Sequence, residues 1–342
     1  MSLSLSVDGP RWRAHLTEFA ASTPGLVPVA KGNGYGFTLA RLARRAAWLG
    51  VDTLAVGLYE ELPHVATRYA GSILVLTPWR PWIAPLDAPL ARRVIHTLSR
   101  PSDLPLLLAA QPDARYVLEL RTSMQRHGMT AAELWSLSSA RPEGVALHLP
   151  LDTGSHLPEA RRLLTDVVGA DLPGTTVYVS HLSASELATL RASYADLTIR
   201  PRVGTDLWLG DRGALSVTSH VLDVHAIARG TAYGYRQRSA PRDGHLLIVS
   251  GGTAHGIGLE SPLGESGLRA RASTLARGGL DALGLTRSPF WVGGRPRLFA
   301  EPPHMQASML FLPGDVPPPT VGDLVDARVR FTATTFDDVV VS

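Results

Sequence analysis

The chain predicts an α/β fold: a (β/α)8 barrel over residues 1–211, followed by a C-terminal β-rich domain over residues 212–342. Two observations carry that expectation. Short apolar and β-branched runs alternate with stretches of helical period across the first two hundred or so residues, the rhythm a closed parallel barrel requires. After Gly210 the alternation stops and longer strand-like runs take over.

Taken in order, a helical segment around Arg11–Ala21 is closed by Thr23, Pro24 and Gly25. The strand-like runs then fall at Leu26–Lys31, Thr53–Gly57, Ser72–Thr77, Arg93–Thr97, Arg115–Leu120, Gly144–Leu149, Thr176–His181 and Leu197–Arg202. Between them, Leu39–Leu49, Glu60–Tyr69, Ala131–Leu137, Glu159–Val168 and Ala184–Ala192 carry apolar residues at helical spacing. Pro81–Pro89 and Pro101–Pro105 are proline-rich, so weak helices are expected after the third and fourth strands. An open doubly wound sheet is the alternative; eight runs favour closure. In the second domain, Leu215–Ala226, Gly244–Ser250, Met305–Leu312 and Leu324–Ala333 read as strands, with a helical insertion near Leu268–Leu283.

Composition narrows the function. The 342 residues are 45% hydrophobic and 18% charged, enough to bury a core in about two domains. The absence of cysteine excludes disulfides, thiolate metal sites and thiol catalysis. No apolar run approaches the ~20 residues of a membrane span, and the N-terminus lacks a signal-peptide layout, so a soluble cytoplasmic protein is expected. Net charge is only +3, and the basic residues are interspersed with acidic ones. Nucleic acid is therefore not expected as a partner. His181, His255 and His304 show no metal-ligand spacing, and no metal is assigned.

Of the 33 basic residues one alone is a lysine, Lys31. Arginine supplies positive charge as well as lysine does, but it cannot lose a proton and attack a carbonyl. Lys31 closes the first strand and runs into Gly32, Asn33, Gly34, Tyr35 and Gly36, where glycines let a ligand approach the backbone. That placement suits a Schiff base to an aldehyde cofactor, and pyridoxal 5′-phosphate is the one considered. Such barrels place active sites at the C-terminal ends of the strands, and often a phosphate site after strands seven and eight. Ser183, Gly204 and Thr205 fall there, Arg126 after strand five, His148 near the end of strand six and Arg202 at the end of strand eight. A permanently charged arginine beside a pyridine nitrogen keeps that nitrogen unprotonated, which suits proton exchange at Cα.

These segments resemble the alanine racemase family, the fold-type III pyridoxal-phosphate enzymes, over nearly the whole chain. VPVAKGNGYG resembles the lysine motif, which implies that Lys31 carries the cofactor and acts as one of two acid/base groups, with Tyr35 at the phosphate. LELRTSMQRHGM resembles the segment whose arginine meets cofactor and substrate carboxylate, matching Arg126. Many members orient that arginine with a carbamylated lysine; Glu119 stands at the matching place here. EGVALHL matches His148 to the histidine beneath the ring, and RPRVGTDLWLG matches Arg202 and Gly204 to the pyridine-nitrogen arginine and the phosphate glycine. TAYGYRQ resembles the motif of the second base, making Tyr233 its match; PPHMQASM matches Met305 at the substrate, with His304 and Gln306 in place of the usual neighbours. The resemblance implies a head-to-tail homodimer, each site completed by the partner's second domain, and a proton relay from Arg202 through His148 that lowers Tyr233.

It also implies racemisation of a small amino acid by Lys31 and Tyr233: alanine first, for D-alanine and cell-wall synthesis, with serine as the alternative. Two departures mark a divergent member. GGTAHGIGLE (Gly251–Glu260) replaces the usual substrate-corridor run, and the usual tyrosine-bearing extension does not follow Asp337 and Asp338. A weakened or inactive pyridoxal-phosphate-binding protein thus remains as a reading. An amino-acid decarboxylase of the same fold is disfavoured by the lack of cysteine, and a single-domain cofactor carrier by the second domain.

Overall fold

The computed structural model describes residues 2–151, 154–173, 176–259 and 286–342. It divides into two compact units, Arg13–Gly210 and Met1–Trp12 with Asp211–Ser342. In chain order it opens with strand β1 (Leu3–Val7) and helix α1 (Gly9–Ser22).

The elements of the first unit alternate as β2 (Val27–Pro28), α2 (Leu39–Trp48), β3 (Thr53–Val56), α3 (Leu62–Ala66), β4 (Ser72–Pro78), α4 (Ala88–Ala91), β5 (Val94–Leu98), α5 (Asp103–Ala110), β6 (Arg115–Leu120), α6 (Ala131–Trp135), β7 (Gly144–His148), α7 (Leu157–Gly169), β8 (Thr176–Ser180), α8 (Ala184–Ser193), β9 (Thr198–Val203) and α9 (Thr205–Leu209). The strands form one parallel sheet in the order β2-β9-β8-β7-β6-β5-β4-β3. It closes into a barrel where Val29 bridges Ala55 and the Ala30 N–H donates to the Ala55 carbonyl at 2.8 Å. The eight expected strands are all present. As expected, the segment after β4 yields only the four-residue α4. The segment after β5 yields the eight-residue α5, because Pro105 falls in its first turn, where the N–H has no intrahelical partner to lose.

Packing inside the barrel follows from strand periodicity. Val27, Val29, Ala55, Leu74, Ile95, Val117, Ala146 and Tyr178 form one buried cluster. Side chains two residues apart share a face, so the next inward positions toward the strand ends are Lys31, Thr97, Glu119, His148 and Ser180. A polar layer therefore lies directly on the apolar one at the C-terminal mouth.

The second unit contains β10 (Leu215–Ile227), β11 (Ala232–Tyr233), β12 (Arg238–Ser239), β13 (Gly244–Ser250), β14 (Arg287–Val292), β15 (Arg295–Phe299), β16 (Ala307–Pro313), β17 (Leu324–Ala327) and β18 (Asp338–Val341). Its eight-stranded sheet runs β13-β16-β15-β14-β17-β10-β1-β18, and β13 also pairs with β10. β1 is antiparallel to β10 and parallel to β18, with Leu5 opposite both Val217 and Val339. The first residues thus belong with this unit, where the sequence reading had run the barrel from residue 1. Leu3, Leu5 and Val7 alternate with polar residues and are almost fully buried, the pattern of a strand with one face on a core. β17 stops at Ala327, short of the expected Ala333. The expected helix near Leu268–Leu283 lies outside the described residues. Among the described residues no helix is long and apolar enough to cross a membrane.

Candidate active site at the mouth of the barrel

Lys31 follows the bridge at Val29 and points along the inner face of β2. Its side chain reaches solvent, yet contact with the barrel wall partly desolvates it and lowers its pKa. Arg126 and Arg202 push the same way, and Glu61 opposes them. A lowered ammonium pKa is what a lysine needs to act as an amine near neutral pH. The sequence reading missed Glu61. Its buried carboxylate accepts from the backbone N–H groups of Gly32 at 2.5 Å, Gly57 at 2.6 Å and Leu58 at 3.1 Å, tying the turn after Lys31 to the end of β3. A second glutamate at Glu60 conceals it, since Glu60 and Glu61 look alike as a solvated acidic helix start.

Tyr35 and Gly204 meet on the far side of the lysine turn. Tyr35 is buried with a left-handed φ of 55°, and a Cβ built on Gly204 falls 2.0 Å from its hydroxyl oxygen. Gly204 follows β9 and precedes Thr205, the first residue of α9, where helical N–H groups lack intrahelical partners. Arg202, two residues earlier, is buried. Its Nη2 donates to the Leu147 carbonyl at 2.8 Å, while its Nε has no hydrogen-bond partner. Burial lowers Arg202 to about 10, with Glu119 opposing and Arg126 reinforcing, so it stays charged at neutral pH. Glu119, on β6, is also buried with Oε2 unpaired; burial raises its pKa against the pull of Arg202, Arg126 and Arg80.

These features fit pyridoxal 5′-phosphate. An unpaired buried Nε on Arg202 offers a donor to an aromatic nitrogen, and the Tyr35–Gly204 contact is a cradle that a larger residue would fill. Gly204→Ala should therefore weaken cofactor affinity about 10- to 100-fold, and adding Tyr35→Phe should recover part of the loss, because the added methyl collides with the phenol oxygen. Cofactor titration by absorbance reads both. Equal affinity in Gly204→Ala and wild type would remove this cradle from the site.

His148 ends β7, and its Nδ1 lies 2.9 Å from Ser180 Oγ. Burial and the charges of Arg202, Arg126, His181 and Lys31 lower it to about 3, so the ring is neutral. The expected contact from Arg202 to His148 is not the one formed: the guanidinium reaches Leu147 O, and Ser180 holds the imidazole. His181 stacks obliquely on His148 at 5.3 Å with a left-handed φ of 59°, held by its Nδ1 at 2.7 Å from Leu149 O. Ser180, missed in the sequence because Ser183 drew attention, supports the neutral imidazole. Ser183 instead caps α8: its N–H and hydroxyl donate to Glu186 Oε2 at 2.9 and 2.8 Å. Although burial opposes it, bonds from Ser183, Ser155 and His156 hold Glu186 down at about 2. A phosphate oxygen at Ser183 would meet that carboxylate. Arg126 is exposed in the loop after β6, and its field reaches Lys31, Glu119, His148 and Arg202.

Tyr233 and Met305 lie in the strand-rich unit. Tyr233, on β11, packs half-buried against Ile227, Ala240, Leu246 and Ala300, and its hydroxyl donates to Ala300 O at 3.2 Å. Burial raises its pKa, Arg238 opposes, and Glu301 reinforces. Glu301 is buried; it accepts from the Tyr235 N–H at 2.9 Å and lies 2.7 Å from His304 Nε2. Met305 is 73% exposed. The altered corridor run and the PPHMQASM segment are physically partnered: Thr253 and Ala254 N–H groups donate to the His304 and Met305 carbonyls at 2.8 and 2.9 Å. A change in one therefore reshapes the other. No group of metal-ligating side chains occurs among the described residues.

Residues 7–211 match the family described as alanine racemase, N-terminal domain. The fold resembles alanine racemase from Streptomyces lavendulae (19% identity, TM-score 0.68, covering 96% of this chain and 87% of that one). It also resembles alanine racemase from Bartonella henselae, solved with covalently bound pyridoxal phosphate (17%, TM-score 0.67, 96% and 91%). Histidine racemase from Leuconostoc mesenteroides is similar too (17%, TM-score 0.65, 98% and 90%). No curated protein matches the chain in sequence. With more than half its length matched, and with the lysine, arginine and glycine positions gathered on one barrel rim, the chain belongs to the alanine racemase family.

Proposed function

We propose that the protein is a pyridoxal-phosphate-dependent amino-acid racemase in which Lys31 and Tyr233 exchange the Cα proton on opposite faces of the substrate. The observation that supports it best is the electrostatic setting of Lys31, the one lysine in the chain: an amine with a lowered pKa beside Arg126 and Arg202. Pyridoxal 5′-phosphate, bound through that amine, supplies the electron withdrawal that acidifies the substrate Cα–H. Arg202 withholds a proton from the ring nitrogen and so limits deeper delocalisation. Tyr35, Gly204 and Thr205 hold the phosphate, and His148 stays neutral beneath the ring. Arg126 binds the substrate carboxylate beside Met305. Lys31, its pKa lowered by burial and by Arg126 and Arg202, takes hydrogen from one enantiomer; Tyr233, kept protonated by burial and by Glu301, delivers hydrogen from the other side. In this reading a head-to-tail homodimer brings the two bases together, each site completed by the partner's second domain. Alanine is the first substrate to test, serine the second.

The test follows Cα deuteration in D2O, starting from each enantiomer. In Tyr233→Phe, racemisation should fall by about 10²–10⁴-fold, the usual worth of one acid/base group. Lys31-dependent exchange of one enantiomer without inversion should survive. Loss of exchange from both enantiomers equally, or no loss at all, refutes the two-base assignment.

A further inference from the structure

The loops after β4, β5 and β6 enclose a cavity of about 560 Å3 on the same rim, lined by Arg80, Arg100, Arg121, Arg126, His127 and Glu133 among others. In ring order β6 and β5 stand opposite β2 and β9, the strands that lead into Lys31 and Gly204, and β4 lies two places from β2. Four guanidinium groups face one lining carboxylate. Arg80 is already neutralised, with Nη1 2.8 Å from Asp103 Oδ2 and Nη2 donating to Ser99 Oγ. Arg121 Nε is directed to Gly128 O at 3.1 Å, and Glu133 accepts from the Thr130 N–H and hydroxyl at 2.7 and 2.9 Å. Arg100 and Arg126 have no ion pair among the described residues. Burial lowers the pKa of His127, and Arg126, Arg80 and Arg100 deepen the shift, so their fields converge at this point. Converging cations in excess of their counter-charges repel one another, and an anion seated among them relieves that repulsion. Alanine has no group to place there.

We propose that this cavity is a carboxylate subsite of the substrate pocket and that the enzyme accepts acidic amino acids, their side-chain carboxylate held by Arg100 and Arg121. The proposal rests on the racemase reading above. Arg126 joins the two halves: it lines this cavity and, in the racemase reading, meets the substrate carboxylate. Arginine suits the role because its planar fork meets a carboxylate with two donors.

Two measurements on the full-length, cofactor-loaded protein decide it. In calorimetric titration, succinate should bind about tenfold more tightly than propionate, lose about tenfold in Arg100→Ala, recover in Arg100→Lys and weaken with salt. In D2O exchange, aspartate or glutamate should deuterate at Cα. Arg100→Ala should raise their KM about tenfold at constant kcat and leave alanine unchanged. Equal binding of succinate and propionate overturns the subsite. So does inorganic phosphate binding more tightly than succinate with no exchange of either acidic amino acid, which assigns the cavity to free phosphate. An Arg100→Ala variant that changes alanine kinetics or oligomeric state equally also overturns it. If no amino acid of any kind exchanges, the racemase reading falls separately, and the calorimetric comparison still decides whether the cavity prefers a dicarboxylate.

Discussion

Replacing Lys31 by alanine should leave a folded barrel that cannot fix its cofactor. Borohydride treatment of the loaded wild type should place a pyridoxyl mass on the peptide containing Lys31, and the variant should carry none. Exchange at Cα should fall by at least about 10³-fold, because the proposed function gives this residue the roles of both covalent anchor and base. Lys31→Arg separates amine from charge. It keeps a cation beside Glu61 and the backbone turn that Glu61 organises, but a guanidinium stays protonated and forms no imine under these conditions. Both variants should therefore be equally inactive, with Lys31→Arg close to wild type in thermal stability. Activity retained in Lys31→Arg, or a borohydride label elsewhere, excludes this amine as the reacting group. The same experiment bears on the inactive-binder reading: a labelled Lys31 without exchange of any amino acid is its signature.

The barrel was legible because its signal is repeated. Eight apolar or β-branched runs alternating with helical stretches do not arise from a sandwich or an open bundle, and Lys31 stood out as the lysine in a chain that otherwise uses arginine. β1 was not read, although Leu3, Leu5 and Val7 alternate cleanly, because a five-residue strand finds its partners more than two hundred residues away. Local pattern gives a strand its faces but not its sheet. Chemistry was harder to read for a similar reason. Ser180 and Ser183 are both serines at a strand-to-helix junction; only the geometry shows that Ser180 meets His148 while Ser183 caps α8 through Glu186. Glu61 is invisible locally because its three donors come from two separate turns. The cationic cavity is hidden in the same way: its arginines are spread from position 80 to 126 among many others and become a site only when β4, β5 and β6 lie side by side.

The buried charges at the barrel centre predict a large and pH-dependent stability effect. Arg202 and Glu119 are 6% and 4% exposed, opposite in charge, and each retains an unpaired atom. Arg202→Ala removes the cation whose field favours the ionised Glu119 carboxylate and leaves that buried group less compensated, a loss of about 1–3 kcal/mol. The sign with pH follows from Glu119. Its folded pKa is already raised by burial despite Arg202, and removing Arg202 raises it further. A group whose folded pKa exceeds its unfolded value stabilises the native state below the unfolded value of about 4.3, and that contribution is lost as pH rises through the folded pKa. The Arg202→Ala variant should accordingly be least stable at alkaline pH and recover on acidification, in urea-unfolding midpoints measured from pH 5 to 8. Replacing both residues by methionine should restore most of the midpoint and flatten the pH slope, since two apolar side chains leave no charge to desolvate. Cofactor affinity should remain low in the double variant, because the donor proposed for the ring nitrogen is still gone. A double variant as unstable as Arg202→Ala, with an unchanged pH profile, would show that Glu119 and Arg202 are not coupled.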